Sequence, residues 1–151
     1  MRVYLVIMDE TDEALVALRF ASRRAAKTGG TLHLLAFVPR QPFSLFAGVQ
    51  ATIEHEARER AEAMIMAAAG NLLSESGKMP VISVRQGDAV KLVRQYLEEH
   101  PEVAALVLGA APEGGPGPLV SHFTGAHAGK MPCPVFVIPG SFSESDIDRL
   151  S

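Results

Sequence analysis

Val3-Tyr4-Leu5-Val6-Ile7-Met8 is an unbroken apolar run that Asp9-Glu10-Thr11 cuts off. A strand with one wet face alternates apolar and polar residues; a run apolar at every position belongs to a strand covered on both faces. Such a strand needs helices on either side, and a helix follows at once. Thr11 is placed to cap it, and Asp12 and Glu13 fall in its first turn, where carboxylates favour the helix dipole. The spacing of Ala14, Leu15, Leu18, Ala21 and Ala25 predicts its buried face, and Gly29-Gly30 its end.

The same alternation repeats along the chain. Leu32 to Val38 reads as a second buried strand closed by Pro39, and a loop through Gln41-Pro42-Phe43 leads to a long helix over roughly 47 to 76. Glu54/Arg58 and Glu56/Arg60 stand on that helix in the favourable i, i+4 order, and Gly77 stops it. Val81 to Val84 is a short third strand. Asp88 then caps a helix that turns Val90, Val93 and Leu97 inward and ends at Pro101. Val103 to Leu108 is the fourth strand, a helix is expected from Pro118 to Met131, and Val135 to Ile138 is the fifth strand. Strands alternating with helices define an α/β fold: one doubly wound domain over residues 1–140, a five-stranded parallel sheet with helices on both faces, and a polar, frayed tail over 141–151.

Net charge is −3 with the signs interleaved, so no basic stripe points to nucleic acid. No apolar stretch approaches the roughly 18 residues that span a bilayer, and the opening run is too short for a secretory signal. A single cysteine, Cys133, forms no internal disulfide and suits a reducing compartment, so the expected location is cytoplasmic.

Ligands of such sheets sit beyond the carboxyl ends of the strands, where strand order reverses. Asp9 to Thr11, Phe37 to Arg40 and the stretch from Gly109 to Pro118 all lead there. The third, Gly109-Ala110-Ala111-Pro112-Glu113-Gly114-Gly115-Pro116-Gly117-Pro118, has two readings. Its glycines and the helix behind it suit a phosphate cradle. Yet Pro112, Pro116 and Pro118 carry no N–H, Glu113 adds negative charge, and no Lys or Arg lies between Gly109 and His127, which suits a structural turn.

His122 and His127, five apart on the expected helix, fall on different faces, and no supporting cluster suggests a metal site. Cys133 lies between two prolines with only Lys130 as a nearby base, the setting of an inert thiol. Ser121 and Thr124 lack a Gly-x-Ser-x-Gly elbow. His33 reads as a packed or partly exposed strand residue. Met64, Ile65 and Met66 read as core or interface filling.

In order and spacing, Val6-Ile7-Met8-Asp9, Leu34-Leu35-Ala36-Phe37-Val38, Gln86-Gly87-Asp88, Ala105-Leu106-Val107-Leu108-Gly109 and Pro132-Cys133-Pro134 make the chain resemble the universal stress protein family from Arg2 to about Gly140. The resemblance implies strand order 3-2-1-4-5 and a homodimer joined through the last strand, here Val135-Ile138. It also implies two branches. One binds ATP or AMP through G-x-x-G-x9-G-[ST], and the other lacks that motif. In the binding branch the Asp after strand one faces the adenosine end, main chain after strand two holds the base, and the glycine motif holds phosphates.

Asp9 matches the first of these and Phe37-Val38 the second. The third departs. Counted from Gly109, the second glycine falls on Pro112, the third on His122 and the hydroxyl on Phe123. Anchored on Pro132-Cys133-Pro134, the Gly-Ser/Thr pair falls on Ser121-His122 with the loop one residue short. Glu10 and Thr11 replace the family's small residues after the Asp.

The candidate ligand set is therefore Asp9, Thr11, Phe37, Val38, Gly109, Gly114, Gly115, Gly117, Ser121 and His122. The expectation is a non-enzymatic, dimeric stress-response sensor that binds AMP or ATP, with AMP fitting better than ATP and its metal. Its state is read by a protein partner. The alternatives are a nucleotide-independent, dimeric interaction module, and an ATP hydrolase, for which no placed general base, lysine or metal-binding carboxylate pair is found. No metal is expected without nucleotide.

Overall fold

The structure is a computed structural model describing residues 2–40 and 47–151, so the loop expected through Gln41-Pro42-Phe43 lies outside the described residues. Five parallel strands, β1 (Val3–Met8), β2 (Thr31–Val38), β3 (Val81–Gln86), β4 (Val103–Ala110) and β5 (Val135–Pro139), form one sheet in the order β3-β2-β1-β4-β5. β1 is central, and every one of its residues is buried. Its side chains alternate between two cores: Tyr4, Val6 and Met8 join one, and Val3, Leu5 and Ile7 the other. An apolar residue at every position is thus what a sheet covered on both faces requires.

On the first face lie α1 (Asp12–Thr28), α2 (Ala47–Ser76) and α5 (Glu144–Leu150); on the second lie α3 (Ala89–Glu99) and the short α4 (Pro118–Phe123). The Thr11 hydroxyl oxygen accepts from the Ala14 N–H and caps α1, and Gly29, at φ 68°, closes it. α1 buries Ala14, Leu18, Ala21 and Ala25 as the spacing predicts, but Val16, Ala17 and Phe20 widen the stripe, and the expected Leu15 faces solvent at 44% exposure. Asp88 caps α3 through the Lys91 N–H at 3.1 Å. In α2, Ile65 is fully buried and Met64 packs on the core, while Met66 is half exposed. On that helix Arg58 reaches Glu62 at 3.9 Å, and Arg60 reaches off the helix to Glu10 at 3.5 Å.

Two expectations are corrected. The helix expected from Pro118 to Met131 breaks after Phe123 and resumes only as a 3-10 turn at Ala128–Lys130, because Thr124 folds its hydroxyl back onto the Val120 carbonyl and Gly125 follows. The tail expected to fray instead forms α5. Ser143 and Asp146 make a reciprocal capping box, Ile147 is 1% exposed in the first core, and Arg23 and Lys27 of α1 hold Asp148 at 2.6 and 2.9 Å. A single apolar anchor in a polar segment gives too short a period to read. Replacing Ile147 by Ala is expected to cost about 3 kcal/mol in urea unfolding, since it empties a filled core position; a frayed tail would lose almost nothing.

Candidate functional site

The chain leaves β1 toward α1 on one face and leaves β4 toward α4 on the other, so strand order reverses between β1 and β4. Two cavities open at these strand ends. The wide one, about 1000 Å³, lies beyond β1 and β2 and under α2. Met8, Phe37, Pro39, Met64 and Leu92 give it an apolar wall; Arg40, Arg60 and Lys91 bring positive charge, and Asp9, Glu10 and Asp88 negative charge. The narrow one, about 190 Å³, lies between the first turn of α1 and the loop after β4, and Asp9 lines both. Its charged lining residues are Asp9 and Glu13, and it contains no Lys or Arg.

Asp9 is not free to serve a ligand with both oxygens. Its Oδ1 accepts from the Thr11 N–H at 2.9 Å and from the Thr11 hydroxyl, which itself accepts from Ala14 N–H at 3.2 Å. The Asp-Thr pair is thus the N-terminal cap of α1, built on Oδ1. Val38 is buried, and its carbonyl accepts the Gly87 N–H at 3.0 Å, which ties the end of β2 to the start of α3. Phe37 lines the wide cavity.

The loop after β4 divides by function. Gly109 and Gly117 line the narrow cavity with Thr11; Gly114 and Gly115 do not, and stand with their Cα atoms open to solvent at φ 75° and 90°. Gly109 is required by packing. A Cβ there would strike the Glu13 carbonyl oxygen and lie 2.6 Å from its carbon, so only glycine lets the first turn of α1 rest on β4. The loop also closes on itself, with the Ala111 N–H donating to the Pro116 carbonyl at 3.4 Å.

Ser121 and His122 line neither cavity. His122 faces α3, where the Arg94 guanidinium donates to its Nε2 at 3.1 Å, and it stacks on His127 with ring centroids 4.9 Å apart. The separate faces expected for these two histidines do not survive the break in the helix after Phe123. Cys133 is half-buried, and burial pushes its thiol above the ordinary range.

Sequence reasoning placed Arg40 at the strand ends only as the close of the segment after strand two, and it missed Arg60 and Lys91. Arg60 looked like half of an ordinary helix-surface pair, and nothing in a period of 3.6 says that a face of α2 overhangs the end of β1. Lys91 had a signal, since Gln86-Gly87-Asp88 was already marked as a turn into a helix at the strand ends.

With this architecture in view, the fold defines an α/β domain of the doubly wound type with a crevice at its strand ends. The chain matches the model of the universal stress protein family over residues 1–139 and belongs to that family. Similar solved structures include the universal stress protein UspA from Lactobacillus plantarum, 20% identical with TM-score 0.77 over 91% of this chain and 97% of that one. A universal stress protein in complex with cAMP is 18% identical, TM-score 0.63, over 93% and 98% of the two chains. An Arabidopsis thaliana family member with AMP bound is 16% identical, TM-score 0.60, over 92% of each. No curated protein matches the chain in sequence. No helix among the described residues is long and apolar enough to cross a membrane.

If Gly109 serves packing and Gly114 only a turn, Gly109→Ala is expected to lose about 3 kcal/mol in urea unfolding through overpacking. Gly114→Ala, with open space around its Cβ, is expected to lose about 1 kcal/mol through left-handed backbone strain alone. Equal losses would contradict this division of the loop.

Proposed function

We propose that this universal stress protein is a sensor, without turnover, that binds an adenine mononucleotide in its strand-end crevice. The observation that carries the proposal is that the cations at the strand ends line the wide cavity, beside Asp9, Glu10 and Asp88, and none lines the narrow one. The apolar wall formed by Met8, Phe37, Pro39, Met64 and Leu92 suits a base, and Arg40, Arg60 and Lys91 on the same cavity suit one phosphate. The narrow cavity, where the family's glycine motif would hold a phosphate chain, offers Asp9 and Glu13 instead. A triphosphate directed there meets like charge in a partly enclosed space, where Coulomb terms are several-fold larger than in water. The Arg60–Glu10 pair, with both side chains about 70% exposed, is weak enough for a phosphate to displace. AMP bound to one relative and cAMP to another lend support by analogy. Occupancy that draws Arg60 of α2 toward the ligand changes the outer face of that helix, which a partner protein then reads.

Calorimetric titration of the purified, ligand-free protein is expected to give saturable AMP binding in the micromolar range. ATP should bind about tenfold more weakly, and Arg60→Ala should weaken AMP by about fivefold, a loss near 1 kcal/mol for an exposed charge contact. Flat traces for both nucleotides at millimolar concentration would sink the proposal. They would favour the second reading, a dimeric interaction module, for which the self-closed loop from Ala111 to Pro116 is the supporting observation.

The proposed assembly is a homodimer through β5. Among the described residues that strand pairs only with β4, and Val137 on it is 37% exposed, so its outer edge offers backbone groups and an apolar side chain to a partner. Sedimentation at tens of micromolar should give a dimer, and Val137→Asp a monomer; a monomeric parent protein would contradict it.

A further inference from the structure

At the end of the sheet opposite the crevice, His33 near the start of β2, His100 at the C-terminal cap of α3 and Glu102 just before β4 converge. Each offers one ligand atom, and these atoms all lie within 4.8 Å of one another. The fold brings them together from three segments, two of which lie far apart in the chain. No step of nucleotide binding uses them.

Tyr96 orients both imidazoles. Its phenol oxygen lies 2.7 Å from His33 Nδ1, and its backbone carbonyl accepts from His100 Nδ1 at 3.0 Å. A carbonyl only accepts, so the His100 proton resides on Nδ1 and the lone pair on Nε2. The Tyr96 ring also stacks on His100, with centroids 4.0 Å apart and planes 15° apart. This is the outer-shell pattern by which proteins fix the tautomer of a metal-binding histidine. Burial, and then the neighbouring His100, lower the His33 pKa from its ordinary value. The nearby Arg85, 4.9 Å above the Tyr96 ring, is paired with Glu99 at 2.7 Å. That leaves the Glu102 carboxylate as the charge available to a cation.

We propose that His33, His100 and Glu102 form a binding site for one divalent zinc-class cation, with a fourth position open to water. Two imidazoles and one carboxylate are borderline ligands that suit zinc and exclude calcium and magnesium, which take oxygen. Zinc–ligand distances of about 2.0–2.2 Å place tetrahedral ligands roughly 3.3 Å apart, so closure requires movements on the order of 1 Å. Glu102 is exposed and His100 half-buried, so both can move, while His33 is held in the core at 8% exposure. The bound ion ties the C-terminal end of α3 to β2 and to the start of β4.

The test is zinc chloride titrated into chelator-treated full-length protein by calorimetry, with cobalt(II) as a spectroscopic stand-in. One zinc per chain with a Kd of about 10 μM or tighter is expected, with the visible bands of tetrahedral cobalt. His100→Ala and Glu102→Gln are each expected to weaken binding at least about tenfold; both lie on the solvent side and leave His33 in place. His127→Ala, which removes the other close histidine pair, should change nothing. Absence of saturation below millimolar zinc overturns the proposal, as does binding that persists in the His100→Ala/Glu102→Gln double variant or disappears with His127→Ala.

Discussion

The approach of the Glu13 carbonyl to Gly109 governs the character of the crevice. Because residue 109 has no side chain, the first turn of α1 settles directly on the end of β4, and with it come Asp9 and Glu13. The narrow cavity is acidic for that reason. The cap of α1 reinforces the arrangement, since Thr11 holds Asp9 in place and occupies one of its oxygens. Positive charge at the strand ends then has to come from elsewhere, and it comes from Arg40, Arg60 and Lys91 across the wide cavity. The same small contact that completes the core therefore moves the favourable place for an anion away from the loop after β4.

The two faces of the sheet carry different tasks. On the face of α1, α2 and α5, packing extends to the last residues of the chain, where Ile147 closes the first core and Arg23 and Lys27 hold the final helix by its carboxylate and carbonyl. On the face of α3 and α4, Tyr96 collects buried and half-buried polar groups around it, His33 and His100 above all. The crevice and the histidine cluster lie at opposite ends of one sheet and share no residue. An event at either end has to act on the other through the rigid strands and α3, which spans from the Gly87-Asp88 edge of the crevice to His100.

The fold was legible because β1 announces itself. Six consecutive apolar residues require cover on both faces, and the regular return of strand, turn and capped helix leaves few topologies open. Caps at Thr11 and Asp88 and the stop at Gly29 were readable because each uses a local chemistry visible within four residues. α5 and the break in α4 were not, because a single buried Ile147 and a back-bonding Thr124 act against the local average. For the site, Asp9 and Phe37 follow from their places after β1 and β2. His122 enters the candidate set only by counting along a motif that the chain does not keep, and its neighbours, Arg94 and His127, follow from the shape of the chain after Phe123. The cations of the crevice and the His33-His100-Glu102 cluster are tertiary meetings, and periodicity carries no information about them.

A crystal structure of the protein grown with millimolar AMP tests this account of the crevice most directly. The phosphate is expected within hydrogen-bonding reach of Arg60, Arg40 or Lys91, with the base against Phe37 and Met64. A phosphate seated instead on the turn from Gly114 to Gly117, or a crevice holding only water at that concentration, would contradict it.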